Sequence, residues 1–531
     1  KIEIKDPLLI TSDTANAVNL LDTGSAVGGV VTLSSTVNGV NGGNDDHLDI
    51  VSGTGTVTIS GLIGGTQALT TLDINATAGQ TADITIGSIG SGSAGVTGVT
   101  TLGNTNTGTL TTGNTILLGG GFTYAGDYDK TTQTFDTNGG DANFLGNVTV
   151  NGDFSVTTDG GNITISGNVS GTSATDTFTL TDGTGANDSG TITIGGTIGA
   201  GDNIKTVSLT GDSGVSLAGN IKTSNSADGN VTITGPVTLK GDVIIDADAA
   251  NTTVTLNSTA TVNSDSTSRD FEITTAGGKI TVDSVLGGTT ALKSLKINDG
   301  GGAADIDIAG IGSSTSGTGV IAAGATAIGN AATNLLTFDG TVYKTEGTQT
   351  YTTDTGTKIV FSNASGATLT TSGDNISFVG GDIQINDVTL TATTGGDGTA
   401  GNISVAGALL GKAENAQSNI DFTAGGSTAG DGTISIGGGT SAIGTDMEDV
   451  SLTALTTTLS GNITLADSGV LTITGDVLAN KATLGINTAT GGGGNVTITG
   501  KLDSTGGARD VDITTGAGLT TIGGNIGTVS A

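Results

Sequence analysis

The chain has 531 residues, 95 of them Gly and only 2 Pro, with 3% aromatics, no Trp or Cys, and one Met and one His. Lys and Arg number 16 against 49 Asp and Glu, a formal charge of −33, which argues against a nucleic-acid partner because such partners are gripped through phosphate by clustered basic groups. The missing cysteine rules out a disulfide framework and thiolate metal sites, and no apolar run approaches the ~20 residues of a membrane-spanning helix, so no membrane insertion is expected in this segment.

Low aromatic content and high charge also describe disordered chains. Here, however, mean hydropathy is +0.13, and Val, Ile and Leu alternate with polar residues in runs such as "NVTITG" at Asn230 to Gly235 and again at Asn495 to Gly500. Period-two alternation marks half-buried strands.

In chain order, "KIEIKDPLLITSDTANAVNLL" opens on Lys1 with no secretory leader, as expected of a processed product or an excerpt of a longer chain. "GGNDDHLDI" follows and holds the sole histidine, His47; Asn44, Asp45 and Asp46 beside it are candidate oxygen ligands for calcium, although the GGxGxDxUx nonapeptide of calcium-binding β-rolls is absent. "TVTISGLIGGTQALTTLDI", Thr56 to Ile74, is then repeated without gaps as "TITIGGTIGAGDNIKTVSL" from Thr191 and "KITVDSVLGGTTALKSLKI" from Lys279. A fourth copy with one inserted residue runs from Thr433 to Leu452, and a fifth begins near Leu519. "SRDFEITTAGG" from Ser268 and "ARDVDITTGAG" from Ala508 keep the same register and place Asp270 and Asp510 where the first unit has His47. A position that accepts His or Asp reads as a solvated strand edge and not as a catalytic centre.

The copies divide the chain into an opening solenoid segment, 1–55, a super-unit over 56–278, a second over 279–518 and the start of a third over 519–531. Their irregular spacing does not suit tandem immunoglobulin-like β-sandwiches, the alternative fold, which need ~100 residues and hairpins each. Short strands separated by Gly, Asn, Asp and Ser suit an all-β parallel β-solenoid, in which each rung contacts only its neighbours and small residues fill the interior. Gly and Asn supply the left-handed corner residues. At ~25 residues per rung and ~4.8 Å between stacked strands, about 21 rungs would form a rod near 100 Å long.

Other motifs carry little. "GSGSAG" at Gly90 to Gly95 matches the dinucleotide pattern but lacks the helix that must follow, and Lys279, Lys412 and Lys501 follow Gly without the Ser or Thr of a phosphate loop. "KGD" at Lys240 to Asp242 lies in an alternating run and reads as strand, sequons such as those at Asn147 and Asn375 follow from Asn and Thr abundance, and "GVIAAGATAIGNAATNLL" from Gly319 is ambiguous between strand and short helix. The dispersed carboxylates form no discernible pair for a polysaccharide-degrading enzyme. Paired threonines such as Thr191 with Thr193 and Thr232 with Thr234 would resemble ice-binding proteins if ranked on a flat face, but the uneven spacing argues against it and β-branched Thr suits exposed strands anyway.

The stretch "TFDGTVYKTEGTQTYTTDTGTKIVFSNASGATLTTSGDNISFVGGDI" from Thr337, its weaker counterpart from Thr123 and the Lys279 copy resemble the rungs of large bacterial surface proteins of the filamentous-haemagglutinin-like adhesin type. The resemblance implies a secreted, right-handed parallel β-helix that serves adhesion, aggregation or envelope architecture, with no catalytic residue and no cofactor. It also implies a host, surface or glycan receptor as partner and the bacterial cell surface as location, while the unpaired backbone groups of an open solenoid end lead to the expectation of further copies head to tail or the rest of a longer parent chain.

Overall fold

The computed structural model describes the chain except residues 12–16, 26, 41–44, 78–79, 105, 114, 125–126, 184–188, 202–203, 225–228, 248–250, 258–260, 316–317, 396–399, 413–417, 426–430, 439–440, 467 and 528–531. It is all-β, and each of its two compact units, Lys1–Ala260 and Thr261–Ala531, is a parallel β-solenoid. The division falls upstream of Lys279, where the second super-unit of the sequence begins.

Within Lys1–Ala260 the chain returns to the same face every third strand. On the first face Ile2–Ile4, Val31–Leu33, Val57–Ile59 and Ile84–Ile86 pair in succession. The second face starts as Leu8–Ile10 on Val37–Gly39, narrows to bridges through Ile63, Ile89 and Ile116, and widens from residues 134–136 onward. On the third, His47–Val51 lies on Thr71–Ile74, then Thr100–Leu102, Phe122–Tyr124, Ala142–Phe144 and Ile163–Ile165. The unit Thr261–Ala531 repeats this three-faced plan, as in the succession Leu335–Phe338, Lys358–Phe361 and Asp382–Ile385.

Alternation decides which residues point inward. Ile50, Ile74, Leu102, Tyr124, Phe144, Ile165, Ile194, Leu217 and Leu239 stack in one inward column of the third face, and all are buried. Each contributes about 1.5–3 kcal/mol of apolar burial relative to exposure. Rungs differ in length, with 18 residues between Met447 and its partner Leu465 but 32 between Ile311 and Tyr343. Most of the difference is taken up between strands, and the rest in bulges such as those between Thr131 and Gln133 and at Lys205, which leave the flanking pairs in register.

The sequence copies each spell one complete turn, but they start on different faces. The Thr56 copy places Val57–Ile59 on the first face, Ile63 on the second and Thr71–Ile74 on the third. The Thr191 copy places Ile192–Ile194 on the third, Ile198 on the first and residues 206–210 on the second. One cassette therefore serves any face, which explains why the copies are unevenly spaced. A glycine opens its second corner, directly after the second face it visits: Gly64, Gly199 and Gly287 have φ of 63°, 79° and 68°. A Cβ at Gly199 would lie 1.8 Å from the Lys222 carbonyl oxygen of the next rung, so the position requires glycine twice over, for its dihedral and for the close approach.

Glycine–asparagine pairs build other corners. A Cβ at Gly167 would meet the Gly146 carbonyl oxygen at 2.5 Å, while Asn147 Oδ1 accepts the Asn168 main-chain N–H at 2.9 Å and Asn168 Oδ1 accepts that of Thr197 at 2.9 Å. Asn375, Asn402 and Thr433 repeat the relay. Such side chains satisfy backbone donors that a corner would otherwise strand.

The interior is not filled by small residues alone: most of the few aromatic residues form one stack in each unit. Phe122, Phe135, Phe144, Phe154 and Phe178 lie with neighbouring ring centroids 5.2–5.8 Å apart. Phe338, Tyr343, Tyr351, Phe361 and Phe378 do the same at 4.7–6.2 Å. The second stack lies within the stretch that begins at Thr337, and Phe135, Phe144 and Phe154 of the first lie within its counterpart from Thr123. The Ala-rich stretch after Gly319 holds the strands Thr326–Ile328 and Leu335–Phe338 and no helix.

Candidate functional site

His47 begins the strand His47–Val51, half-buried, with Nδ1 2.8 Å from Thr71 Oγ1 one turn later. Asp270 occupies the same register, accepting from Ser294 Oγ at 2.5 Å and from Lys293 Nζ at 2.5 Å. The shared feature is a hydrogen bond to the hydroxyl one rung on, and either residue provides it. Burial pulls the Asp270 carboxyl up, but Lys293 and Ser294 outweigh it and hold the group below its usual range.

Of the calcium candidates, Asn44 lies outside the described residues. Asp45 takes a left-handed conformation, φ 68°, and Asp46 is fully buried with Oδ2 accepting the Val40 N–H at 2.9 Å. Asp46 thus works as a turn anchor for the preceding corner. Among the described residues no three His, Asp or Glu side chains converge as a metal site would require.

"GSGSAG" occupies a loop between the bridging residues Ile89 and Val96. "KGD", expected within a strand, instead forms the corner between Val237–Leu239 and Val243–Ala247, where a Cβ on Gly241 would stand 2.5 Å from the Ala218 carbonyl oxygen. The alternation that suggested a strand is real on both sides but is interrupted by this turn. Lys501 donates its main-chain N–H to Asp476 Oδ1 at 2.9 Å in another corner.

Lys279 stands among acids: its ammonium is 2.6 Å from Asp307, and that contact, with Asp283 and Asp305 nearby, raises its pKa. Asp339 is held above the ordinary carboxylate range, first by loss of hydration and then by Asp283 and Asp307, although the residue as a whole is exposed. An open depression of about 370 Å³ is lined by residues including Asn263, Val285, Gly310, Ser314 and Val342. It is shallow, and the Lys279 cluster contributes no residue to its lining.

The structure also brings together side chains that the sequence scatters. On the second face of Lys1–Ala260, Thr134, Ser155, Thr179, Ser208, Thr232 and Thr255 pair rung upon rung in one outward column. Thr157, Thr181, Thr210 and Thr234 form a second beside it, and Thr177, Thr206, Asn230 and Thr253 a third. Sequence reading missed this array because the rungs that carry it vary between 21 residues, Thr134 to Ser155, and 29, Thr179 to Ser208. The recurring Thr-x-Thr pattern was its only signal.

Comparison with protein-family models, with curated proteins and with solved structures returns no match.

Proposed function

We propose that this chain is a structural or adhesive β-solenoid of a bacterial cell surface, extending a rod or filament and working through repetition instead of through chemistry at one centre. The observation that carries the reading is the stacking of rungs that each expose a full set of strand edges to the next. At Asp510–Thr514 and Thr520–Ile522 the inward-pattern residues Val511, Ile513 and Ile522 are only half-covered, whereas their counterparts one rung earlier, Leu484, Ile486 and Ile498, are buried. Such an edge accepts another rung, from a second copy head to tail or from further chain. The resemblance to filamentous-haemagglutinin-like adhesins supports an extracellular setting, and the charge of −33 keeps so repetitive a surface soluble.

Electron microscopy of native material, with sedimentation of the isolated 531-residue chain over a concentration series, tests the proposal. Filaments or concentration-dependent association are expected. A chain that stays monomeric at every concentration, with the amides of Asp510–Thr514 and Thr520–Ile522 protected from exchange, would contradict end-to-end assembly.

A further inference from the structure

We propose that the second face of the unit Lys1–Ala260 binds ice. This goes beyond the scaffold reading and does not depend on it.

Parallel pairing sets the spacing along each column at ~4.8 Å, and alternate residues along a strand stand ~6.7 Å apart. With O···O hydrogen bonds of about 2.75 Å, water oxygens that share a tetrahedral neighbour lie about 4.5 Å apart, and the ice repeat across two puckered layers, eight-thirds of the bond, is about 7.3 Å. The two lattices agree to within about a tenth in both directions. Across rungs Thr177–Thr181, Thr206–Thr210 and Asn230–Thr234 the array is three columns wide.

Chemistry points the same way. In a chain of charge −33 these three rungs have no ionised side chain in the columns; Asp136 and Asp153 sit only at the earlier edge, and Lys205 is set aside in a bulge. Among the described residues, the hydroxyls of Thr179, Thr181, Ser208, Thr210, Thr232 and Thr255 make no hydrogen bond to another protein group, so each is open to water. The threonine methyl groups, and the half-buried setting that Ser208 shares, restrict the hydroxyls to few orientations. A surface that holds its first water layer at lattice spacing presents little reorganisation cost to a growing crystal. The uneven copy spacing that argued against this function falls outside the columns, between strands and in the bulge at Lys205, and from Thr177 to Thr181 the pairing with Thr206 to Thr210 is unbroken.

Unit Thr261–Ala531 has a narrower analogue, Thr370, Thr393, Thr423, Thr453 and Thr474 beside Thr368, Thr391, Asp421, Ser451 and Thr472. The Asp421 carboxylate interrupts it, and the proposal rests on the first unit alone.

The test is thermal hysteresis and ice-crystal shape with the full chain, alongside T179K and T232K, which each place an ammonium in the central column, and T193K on the third face. Melting by circular dichroism identifies any variant that fails to fold. Hysteresis with faceted crystals, lost in folded T179K and T232K and kept in T193K, is expected. No hysteresis from the folded wild-type chain overturns the proposal, as does equal loss in T193K. Capture on insoluble cellulose or chitin that T179K and T232K abolish, without hysteresis, also overturns it and assigns the face to a crystalline polysaccharide.

Discussion

The side-chain amide of Asn104 donates to the main-chain carbonyl of Asn75, one turn earlier, at 2.8 Å, and also to that of Gln80 at 2.9 Å. In the second unit Asn330 does the same for Asn298 and Gly301. Asn75 and Asn298 are themselves buried and left-handed, with φ of 48° and 55°, and their Oδ1 atoms accept the N–H groups of Ser52 and Thr275. Each asparagine thus closes a corner that buries backbone polar groups. Asn104→Ala strands two buried carbonyls and is expected to cost about 1–3 kcal/mol for each orphaned group, read from denaturant unfolding. Unchanged stability would mean the corner is solvated.

Glycine corners separate into two classes. Gly199→Ala combines a left-handed φ of 79° with a Cβ 1.8 Å from the Lys222 carbonyl oxygen, and is expected to cost more than about 4 kcal/mol or to prevent folding. Gly92 has a similar φ of 74° but nothing within 4 Å of its Cβ. Gly92→Ala should therefore cost only the dihedral term, about 1–2 kcal/mol. Comparable melting curves for the two variants would contradict the close-approach argument.

Two carboxylates predict opposite pH responses. Asp49 is pushed up by burial and then by Asp73, its partner on the next rung, with His47 offsetting part of this. A raised carboxylate favours the protonated folded state, so its penalty is present at neutral pH and fades as pH falls through the folded pKa. Asp73→Asn should raise the melting temperature at pH 7 and have less effect near pH 3. Asp270 is lowered, so its stabilisation is present at neutral pH and lost as acid titrates it below its usual range. Lys293→Ala should then destabilise at pH 7 and little at pH 2; a pH-independent effect would show that packing, not charge, is at stake.

Most of the fold was legible because it depends on alternation. Val57, Ile59, Leu72 and Ile74 declare their inward direction from the sequence alone, and the copies declare the turn. Corners were less legible. The gapless alignment of Thr56–Ile74 with Lys279–Ile297 stops one residue short of Asn75 and Asn298, whose importance lies in contacts one rung away that no local pattern encodes. "KGD" looked like strand because its corner leaves the flanking alternation in phase. The hydroxyl columns were hidden for a related reason: sequence distance counts the loops, whereas spatial register counts only the rungs.

A whole turn should be removable. Ile192 pairs with Val215 and Thr193 with Ser216, so deleting residues 193–215 joins equivalent points of successive rungs. The product is expected to keep its β-sheet spectrum and cooperative melt, while deletion of residues 193–204, which shifts the faces out of phase, should abolish both. Equal tolerance of the two deletions would count against the ladder register.

The central claim is that rungs of unequal length stack in register. It is tested most directly by the distance between spin labels at Thr134→Cys and Thr255→Cys in a chain that has no cysteine of its own. Thr134 and Thr255 lie in one outward column, separated by Ser155, Thr179, Ser208 and Thr232. Five steps of ~4.8 Å predict a narrow distribution centred near 24 Å, apart from the reach of the labels. A broad distribution, or a distance that scales with the residues between the sites, would contradict it.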